Sequence, residues 1–543
     1  MHPCLGVDEI LRLLAAELVE SEANSAAIAL ACCCKTFEEP VLDALWETQD
    51  QMIPLLKCFP QDVWKEEAGR FVSSLHNSVY LVFNPPVRKS FKRVPTKAEW
   101  IHSRKYARRM RELKVDPSSN PVTLDVFLAL QLRAVDDPWL PRLEEFECHG
   151  ATETFIPFIP LFLSPKIINI KVGFTEDSPT VVVASMISRF SILCPNLEFI
   201  TLTDLPRDSV ITDAVSEMLL GCNRDTLQIF QVESPLTEEA REVVYRLPRL
   251  DSLWAVIQGS TSLPTVALPN LTAIDIEYDR HLDWLQGFRG GVLEILEDAR
   301  FHSESEQLDD FLAAFESVAL TTSIQNTLSE LRFYTSRSWN PNYSSLLSFR
   351  QLKELEIEFS CDGGCSSRVD DNIIMSLAGA MPKLEVLQLG TAPCQTPTGV
   401  TVNGLIGLAY RCLHLSRLRI HFRAASLVDA GTSTATPSPS GDDPVVPWGD
   451  CALSNLEVGE TPIPAGSAMT VTLTLLQIFP RILKVEYINR EWRLVAETIK
   501  RFRRIGTFVH RSSKAHSSDF TTLSNTIPGG AIDVGRPLEN DQG

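Results

Sequence analysis

A short phrase with the pattern Leu-x-x-Leu-x-Leu recurs along most of this chain of 543 residues, with Ile, Phe or Met at times in place of Leu. Clear copies begin at Leu197, Leu271, Leu328, Leu352, Leu384 and Leu415. Looser copies begin at Met110, Leu143, Ile167, Leu227, Leu250, Leu293, Leu453 and Ile482. A repeated phrase of this kind is typical of solenoids, in which each unit buries its apolar face against the next unit.

The spacing and length of the repeat narrow the fold further. The copies begin between residues 110 and 482, about one every 29 residues, at the upper edge of the range for leucine-rich repeats. Residues 107–490 resemble that family, although the Asn or Cys that usually follows the phrase is mostly replaced. The resemblance implies an α/β horseshoe with one parallel strand per repeat.

The segments between the phrases carry apolar residues at helical spacing, which predicts a helix in each. These segments are residues 122–135, 180–193, 209–220, 237–247, 307–319, 370–380 and 402–412. Several of them end at a proline just before the next phrase, as at Pro195 and Pro382, because proline cannot continue a helix. A doubly wound α/β domain also alternates strands and helices and is the alternative fold.

Residues 1–60 lack the phrase and predict three short amphipathic helices instead. Asp8-Glu9-Ile10-Leu11, the segment 29–37 that ends in Lys35-Thr36-Phe37, and Leu42-Asp43-Ala44-Leu45-Trp46 follow one another in the order of an F-box. The chain resembles fungal F-box proteins that join this motif to leucine-rich repeats. A helical cap on the first repeat is the alternative interpretation.

The F-box resemblance implies a three-helix unit that docks through apolar side chains onto the Skp-type adaptor of a cullin-containing SCF ubiquitin ligase. The adaptor-facing residues that it implies are Val7, Ile10, Leu11, Leu14, Leu30, Cys34 and Phe37. Gly6-Val7-Asp8 stands where the family usually has a Leu-Pro pair before the glutamate.

Three further segments differ from the repeats in composition. Residues 61–106 are expected to form a basic helical linker, and the stretch 85–114 carries most of its Lys and Arg. The simpler interpretation is that these Lys and Arg side chains are solvated. The alternative is that they bind phosphate or an acidic surface. Residues 424–450, rich in Ser, Thr and Pro, predict a low-complexity insertion, and residues 504–543 predict a disordered tail.

Charge and motif content exclude several classes of function. The formal net charge is −19, opposite to the basic field that a nucleic-acid-binding protein needs. No apolar run is long enough for a membrane span, and no secretory signal is evident, so an intracellular protein, cytoplasmic or nuclear, is expected.

The cysteines, three of them consecutive, suit free thiols, and Cys361 with Cys365 lacks a second ligand pair for zinc. No catalytic or cofactor-binding motif is present, which predicts that the chain is not an enzyme and holds no cofactor.

Acidic residues concentrate on one predicted face of the repeats. Side chains alternate along a strand, so the residues between the apolar positions of the phrase are expected to point to the concave face. This rule predicts a target-binding set that comprises Asp275, Glu277, Glu297, Glu330, Tyr334, Glu354, Glu356 and Glu358, with Arg332 as the one cation among them. Such a face would bind an unknown target protein with a basic segment. The alternative is that these acidic side chains are ordinary solvated residues of the strands and bind no target.

Two classes of function follow from these patterns. The first is the substrate-recruiting subunit of an SCF-type ubiquitin ligase, which binds the adaptor through the helices and a target through the repeats. The second is a protein-binding scaffold of leucine-rich repeats with no connection to a ligase.

Overall fold

We describe the protein from a computed structural model. It describes residues 7–68, 87–117, 122–133, 138–175, 177–258, 267–278, 283–288, 293, 295–303, 308–322, 324–336, 342–359, 369–390, 399–432, 451–459 and 461–517. Cys361 and Cys365, most of the low-complexity insertion and the last 26 residues lie outside these ranges.

The described residues form an α/β structure with seventeen strands. The strands are β1 (Thr48–Gln49), β2 (Trp64–Ala68), β3 (Val87–Phe91), β4 (Glu112–Val115), β5 (Glu145–Ala151), β6 (Asn169–Phe174), β7 (Phe199–Thr203), β8 (Ile229–Pro235), β9 (Ser252–Ile257), β10 (Ala273–Tyr278), β11 (Asp298–Ser303), β12 (Glu330–Thr335), β13 (Glu354–Phe359), β14 (Val386–Leu389), β15 (Arg417–Ile420), β16 (Asn455–Glu457) and β17 (Lys484–Glu486). Fifteen of them form one parallel sheet, in which β1 pairs with β4 and each later strand pairs with the next in chain order. This sequential order fits a solenoid-like fold and not a doubly wound one, in which the strand order reverses.

Helices connect most of the strands. The α-helices are α1 (Asp8–Glu20), α2 (Asn24–Cys33), α3 (Lys35–Glu47), α4 (Ile53–Leu56), α5 (Lys97–Ala107), α6 (Leu124–Arg133), α7 (Thr180–Ile187), α8 (Phe190–Leu193), α9 (Ser209–Gly221), α10 (Glu238–Val244), α11 (Leu308–Thr322), α12 (Asp371–Ala380), α13 (Val402–Arg411), α14 (Ala424–Thr432), α15 (Ala468–Ile478) and α16 (Trp492–Ser517). Short 3-10 helices lie at Ile156–Leu161, Asp283–Phe288, Ile324–Asn326 and Tyr343–Leu346. A helix occupies most of each of the seven segments predicted between phrases, and α9 and α11 continue past the predicted ends, to Gly221 and Thr322.

All but one of the predicted phrases lead into a strand two residues after their first apolar position. The prediction at Leu293 is wrong by three residues, because β11 begins at Asp298 and its phrase is Leu296-x-x-Ala299-x-Phe301. The buried alanine at the second apolar position hides this phrase from a leucine pattern.

Side chains along most strands alternate between a buried face and a half-exposed face, as in β8, β10, β11 and β13. Exceptions include the last three residues of β6 and of β9 and the whole of β14, which are buried. In β13 the buried residues are Leu355, Ile357 and Phe359, and the glutamates between them are half-exposed. The buried face joins the apolar sides of the helices in one core that runs along the sheet from Met52 to Ile499. We call the half-exposed face, which points away from this core, the open face.

Buried free cysteines contribute to this core as small apolar side chains. Cys148, Cys194, Cys222 and Cys412 are buried, and burial raises the pKa of each thiol to about 12. A thiol with so high a pKa stays protonated near neutral pH and is a poor nucleophile.

The N-terminal helices α1–α3 are present where the sequence predicts them, and they have a small core of their own. Ala15, Ala27 and Val41 are buried together at its centre. The helices are joined to the sheet because α3 ends where β1 begins, and β1 pairs with β4. The ring of Trp46 also packs 5.0 Å from that of Tyr106 on α5.

Residues 61–106 are not helical throughout, contrary to the predicted linker. Strands β2 and β3 form an antiparallel pair before α5 begins, and α5 is the helix that the structure describes in this segment. The Lys89 ammonium lies 4.1 Å from the ring centre of Trp64, and Arg93 donates hydrogen bonds to Asp62 and Glu99. These contacts give Lys89 and Arg93 partners within the chain. Neither side chain therefore needs a bound phosphate or an acidic partner.

Two segments expected to be unstructured are helical at their starts. α14 occupies the first nine residues of the predicted insertion, and Ala424 and Leu427 on it are buried. α16 continues through Ser517, so the prediction of disorder from residue 504 is wrong for residues 504–517. Among the helices in the described part of the chain, none combines the length and the apolar character that a membrane span requires.

Candidate protein-binding surfaces

The first candidate surface is the apolar side of α1. Val7, Ile10 and Leu14 are each at least 40% exposed, and Leu13 is 71% exposed. Residues 7, 10 and 14 lie three and four positions apart, which places them on one side of a helix. Such a row of exposed apolar side chains is typical of a surface that another molecule covers.

The other predicted adaptor-facing residues are less accessible. Leu30 and Cys34 are half-buried, and Leu30 packs against the small core of the three helices. Leu11 and Phe37 are 2% and 6% exposed, so in this conformation they support the helices from within and offer little contact area. The sequence could not separate these positions, because both sides of α1 are rich in leucine.

The second candidate surface is the open face of β10–β13. Seven of the eight residues predicted to bind a target lie on this face, namely Asp275, Glu277, Glu330, Tyr334, Glu354, Glu356 and Glu358. Glu297 does not, because it precedes β11, where its carbonyl accepts the N–H groups of Ser329 and Glu330. Glu297 was placed on the open face because the phrase was predicted to begin at Leu293, whereas it begins at Leu296.

The same shift places two basic residues that the sequence pattern missed on the open face. Arg300 and His302 lie on the open face of β11, so Arg332 is not the one cation there. Arg300 donates to Asp298 at 2.7 Å, and His302 Nε2 lies 3.2 Å from Asp275 Oδ1. The ring of His302 also stacks on that of Tyr334, with 4.8 Å between centroids.

Arg332 lies at the centre of the acidic residues on β12 and β13. Its side chain is 15% exposed, and Nη2 donates to Glu330 at 2.7 Å and to Glu354 at 2.6 Å. Burial lowers the pKa of this guanidinium, but the hydrogen bond to Glu354 and the surrounding carboxylates raise it above its usual value overall. The acids nearest Arg332 are therefore paired within the chain, with one guanidinium shared among Asp298, Glu330, Glu354 and Glu356.

Neighbouring side chains extend this network. The Tyr334 hydroxyl donates to Glu356 Oε2 at 3.0 Å, and burial together with that carboxylate raises the pKa of Tyr334. Arg419 on β15 is hydrogen-bonded to Glu358, and its Nε lies 3.0 Å from Glu457 Oε1. A strand-to-strand network of this kind depends on lateral neighbours, which a pattern along one strand does not contain.

A cavity opens where the open face meets the start of α9. It has a volume of about 620 Å³ and is lined by Leu205, Arg207, Asp208, Ser209, Thr212, Asp213, Glu233, Pro235, Trp254, Val256, Gln258 and Glu277. Of these, only Glu277 was among the predicted target-binding residues. The others were missed because they come from loops, from a helix start and from strands whose open-face residues are not uniformly acidic.

The carboxylates of the cavity have fewer cations around them than those near Arg332. Arg207 is 77% exposed and contacts Glu277 at 3.1 Å. Burial raises the pKa of Glu233, the N–H of Asp204 lowers it, and the charges of Asp204 and Glu277 raise it further. Across the described residues, no three His, Cys, Asp or Glu side chains are grouped closely enough to hold a metal ion.

No known protein family matches the chain, and no curated protein shows significant similarity to it.

Proposed function

We propose that this chain is the substrate-recruiting subunit of an SCF-type ubiquitin ligase. The exposed apolar side of α1, at the end of a solenoid-like sheet, is the observation that supports the proposal most. In this account α1 and α2 form part of an F-box that binds the Skp-type adaptor, and the open face of leucine-rich repeats binds the target. The adaptor in turn connects to a cullin.

The chain itself supplies no reacting group in this mechanism. The ligase complex brings a conjugating enzyme that carries ubiquitin close to the bound target, and proximity raises the effective concentration of the target's lysines. The chain therefore has to hold two partners at once on a rigid frame. The core under the sheet supports that requirement on the target side, because packed interiors deform little. The helices α1–α3 have a separate core and are joined to the sheet through the β1–β4 pair and the contact of Trp46 with Tyr106.

A scaffold without a ligase connection is the second candidate. The pairing of β1 with β4 favours it, because β1, which directly follows α3, then covers the edge of β4, as a terminal cap does. A cap needs no partner, and its exposed leucines would then bind nothing.

Co-expression of the full chain with a Skp-type adaptor tests the proposal. The wild-type chain is expected to retain the adaptor at micromolar concentration, and Ile10→Asp with Leu14→Asp to weaken binding by at least about tenfold, since each buries apolar area on binding. Both residues are 40% exposed, and the circular dichroism spectrum of the double variant checks that the helices remain folded.

Leu132→Asp is the matched control, because Leu132 is 70% exposed on α6, outside the N-terminal helices. It is expected to retain the adaptor fully. If the wild-type chain does not bind an adaptor, the ligase proposal is wrong and the scaffold remains.

A further inference from the structure

The cavity beside β8–β10 combines two carboxylates on neighbouring sides of its lining with an aromatic ring. Glu233 on β8 and Glu277 on β10 line it from the two sides of Trp254, which lies on β9 between those strands. Asp213 on α9 adds a further carboxylate to the lining. Five of the lining side chains are charged, and Arg207 is the one cation among them.

Arg207 neutralises this group only weakly. Its guanidinium is mostly in solvent, where water and salt screen the attraction between the two charges and an ion pair contributes little. A second cation can therefore compete for Glu277 at little cost. The network around Arg332 differs, because there the central guanidinium is largely buried between its carboxylates.

The position of Glu233 is held by a strained turn. Asp204 has a left-handed backbone with φ of 55°, which non-glycine residues rarely adopt, and its N–H donates to Glu233 Oε2 at 2.6 Å. Such strain is often found at binding sites, where the surrounding structure maintains it. The turn fixes one oxygen of Glu233 and leaves the other for a further donor.

Trp254 has unused hydrogen-bonding capacity. Its indole Nε1 is buried and has no hydrogen-bond partner among the described residues. A buried donor without an acceptor costs free energy, so an acceptor from a bound molecule would stabilise it. The flat indole also favours a planar cation, because guanidinium groups stack on aromatic faces.

We propose that this cavity receives an arginine side chain of the target protein, with the guanidinium between Glu233 and Glu277 and against Trp254. A small movement of the indole on binding brings its N–H, which has almost no accessible surface in the unbound chain, to a peptide carbonyl next to that arginine. This favours a protein segment over a small free cation. The cavity volume of about 620 Å³ exceeds that of one guanidinium and leaves room for neighbouring backbone. The inference rests on the target-binding half of the proposed function and is independent of the adaptor.

Nuclear magnetic resonance of the full chain, with ¹⁵N in the indole groups of its nine tryptophans, tests the inference. Trp254→Phe identifies the Trp254 signal. The probe is the peptide acetyl-Gly-Gly-Arg-Gly-Gly-amide, and the control peptide carries citrulline, which is nearly isosteric with arginine but neutral. We expect the Trp254 signal to shift saturably at about millimolar arginine peptide, and at least about tenfold more weakly with citrulline.

Variants locate the site. Glu233→Gln and Glu277→Gln are each expected to weaken binding at least about fivefold, since each removes one charged partner. Glu145→Gln makes the same change at an exposed open-face position on β5 and is expected to leave the affinity unchanged. Because burial and neighbouring acids raise the pKa of Glu233, protonation competes with the cation, so affinity is expected to fall as the pH is lowered.

Three results would overturn the inference. They are an unshifted Trp254 signal up to about 10 mM arginine peptide, equal affinity for the citrulline peptide, and equal weakening by Glu145→Gln and Glu233→Gln. None of them involves the adaptor, so failure here is distinguishable from failure of the ligase proposal.

Discussion

Asp371 links two consecutive repeats through three hydrogen bonds. One carboxylate oxygen accepts the N–H groups of Thr401 and Gly404 at 2.7 and 3.0 Å, and the other accepts the Thr401 hydroxyl at 2.5 Å. It thus caps the start of α13 from the preceding helix. Gly404 permits this approach, because a Cβ there would lie 2.6 Å from the same carboxylate.

We expect Asp371→Ala to lower the free energy of unfolding by about 1–3 kcal/mol, because it leaves the N–H groups of Thr401 and Gly404 without their acceptor. Denaturant titration of the full chain measures this. Asp225→Ala, at an exposed loop position, is the control and is expected to have little effect. Equal midpoints for the two variants would contradict the role of Asp371.

At the scale of the element, α14 forms the first nine residues of the predicted insertion and packs against the core. Leu427 is fully buried, and its carbonyl accepts the Thr474 hydroxyl of α15 at 3.1 Å. Residues 433–443 consist mainly of Thr, Ser, Pro, Gly and Asp and cannot supply a packed core. We therefore expect a substitution in α14 and a deletion within residues 433–443 to affect the stability of the fold differently.

Leu427→Ala is expected to cost about 2–4 kcal/mol, because it leaves a cavity in the core. Deletion of residues 433–443 is expected to change the melting temperature by only about 2 °C, since loop length affects the closure entropy weakly. Thermal unfolding of both variants measures the difference. A larger loss from the deletion than from Leu427→Ala would show that the insertion is structural.

Sequence patterns predicted most elements because each repeat carries its own apolar signal. The exceptions have physical reasons. Ala299 is too small to mark β11 as a leucine does, and β2 with β3 carries polar residues on both faces. α14 was obscured by the polar residues that follow it. The cavity could not be predicted, because Glu233, Trp254 and Glu277 are brought together by the register of three strands and not by spacing along one.

At the scale of the whole molecule, Arg109 joins the N-terminal helices to the sheet. Its side chain is 14% exposed and is paired with Asp43 and, at 2.6 Å, with Glu39, both on α3. A ligase subunit needs this junction to be rigid, because the adaptor and the target must keep a fixed relation.

Arg109→Met is expected to speed amide hydrogen exchange in α1–α3 by about tenfold, because it leaves Asp43 without its most buried partner. Exchange in β7–β15 should be unchanged. Arg12→Met is the control, since Arg12 is 52% exposed and its pairs lie at the surface. A uniform change along the whole chain would contradict an anchoring role for Arg109.

The account depends on one claim above all, that the apolar side of α1 connects a target-binding sheet to a ubiquitin ligase. Affinity purification with quantitative mass spectrometry from cells of the source species tests it most directly, with the wild-type chain and the Ile10→Asp, Leu14→Asp double variant compared. The account predicts that the wild-type chain captures a Skp-type adaptor and a cullin, and that the double variant loses both while it keeps the remaining partners. Absence of the adaptor from the wild-type sample, or its full retention by the double variant, would contradict the account.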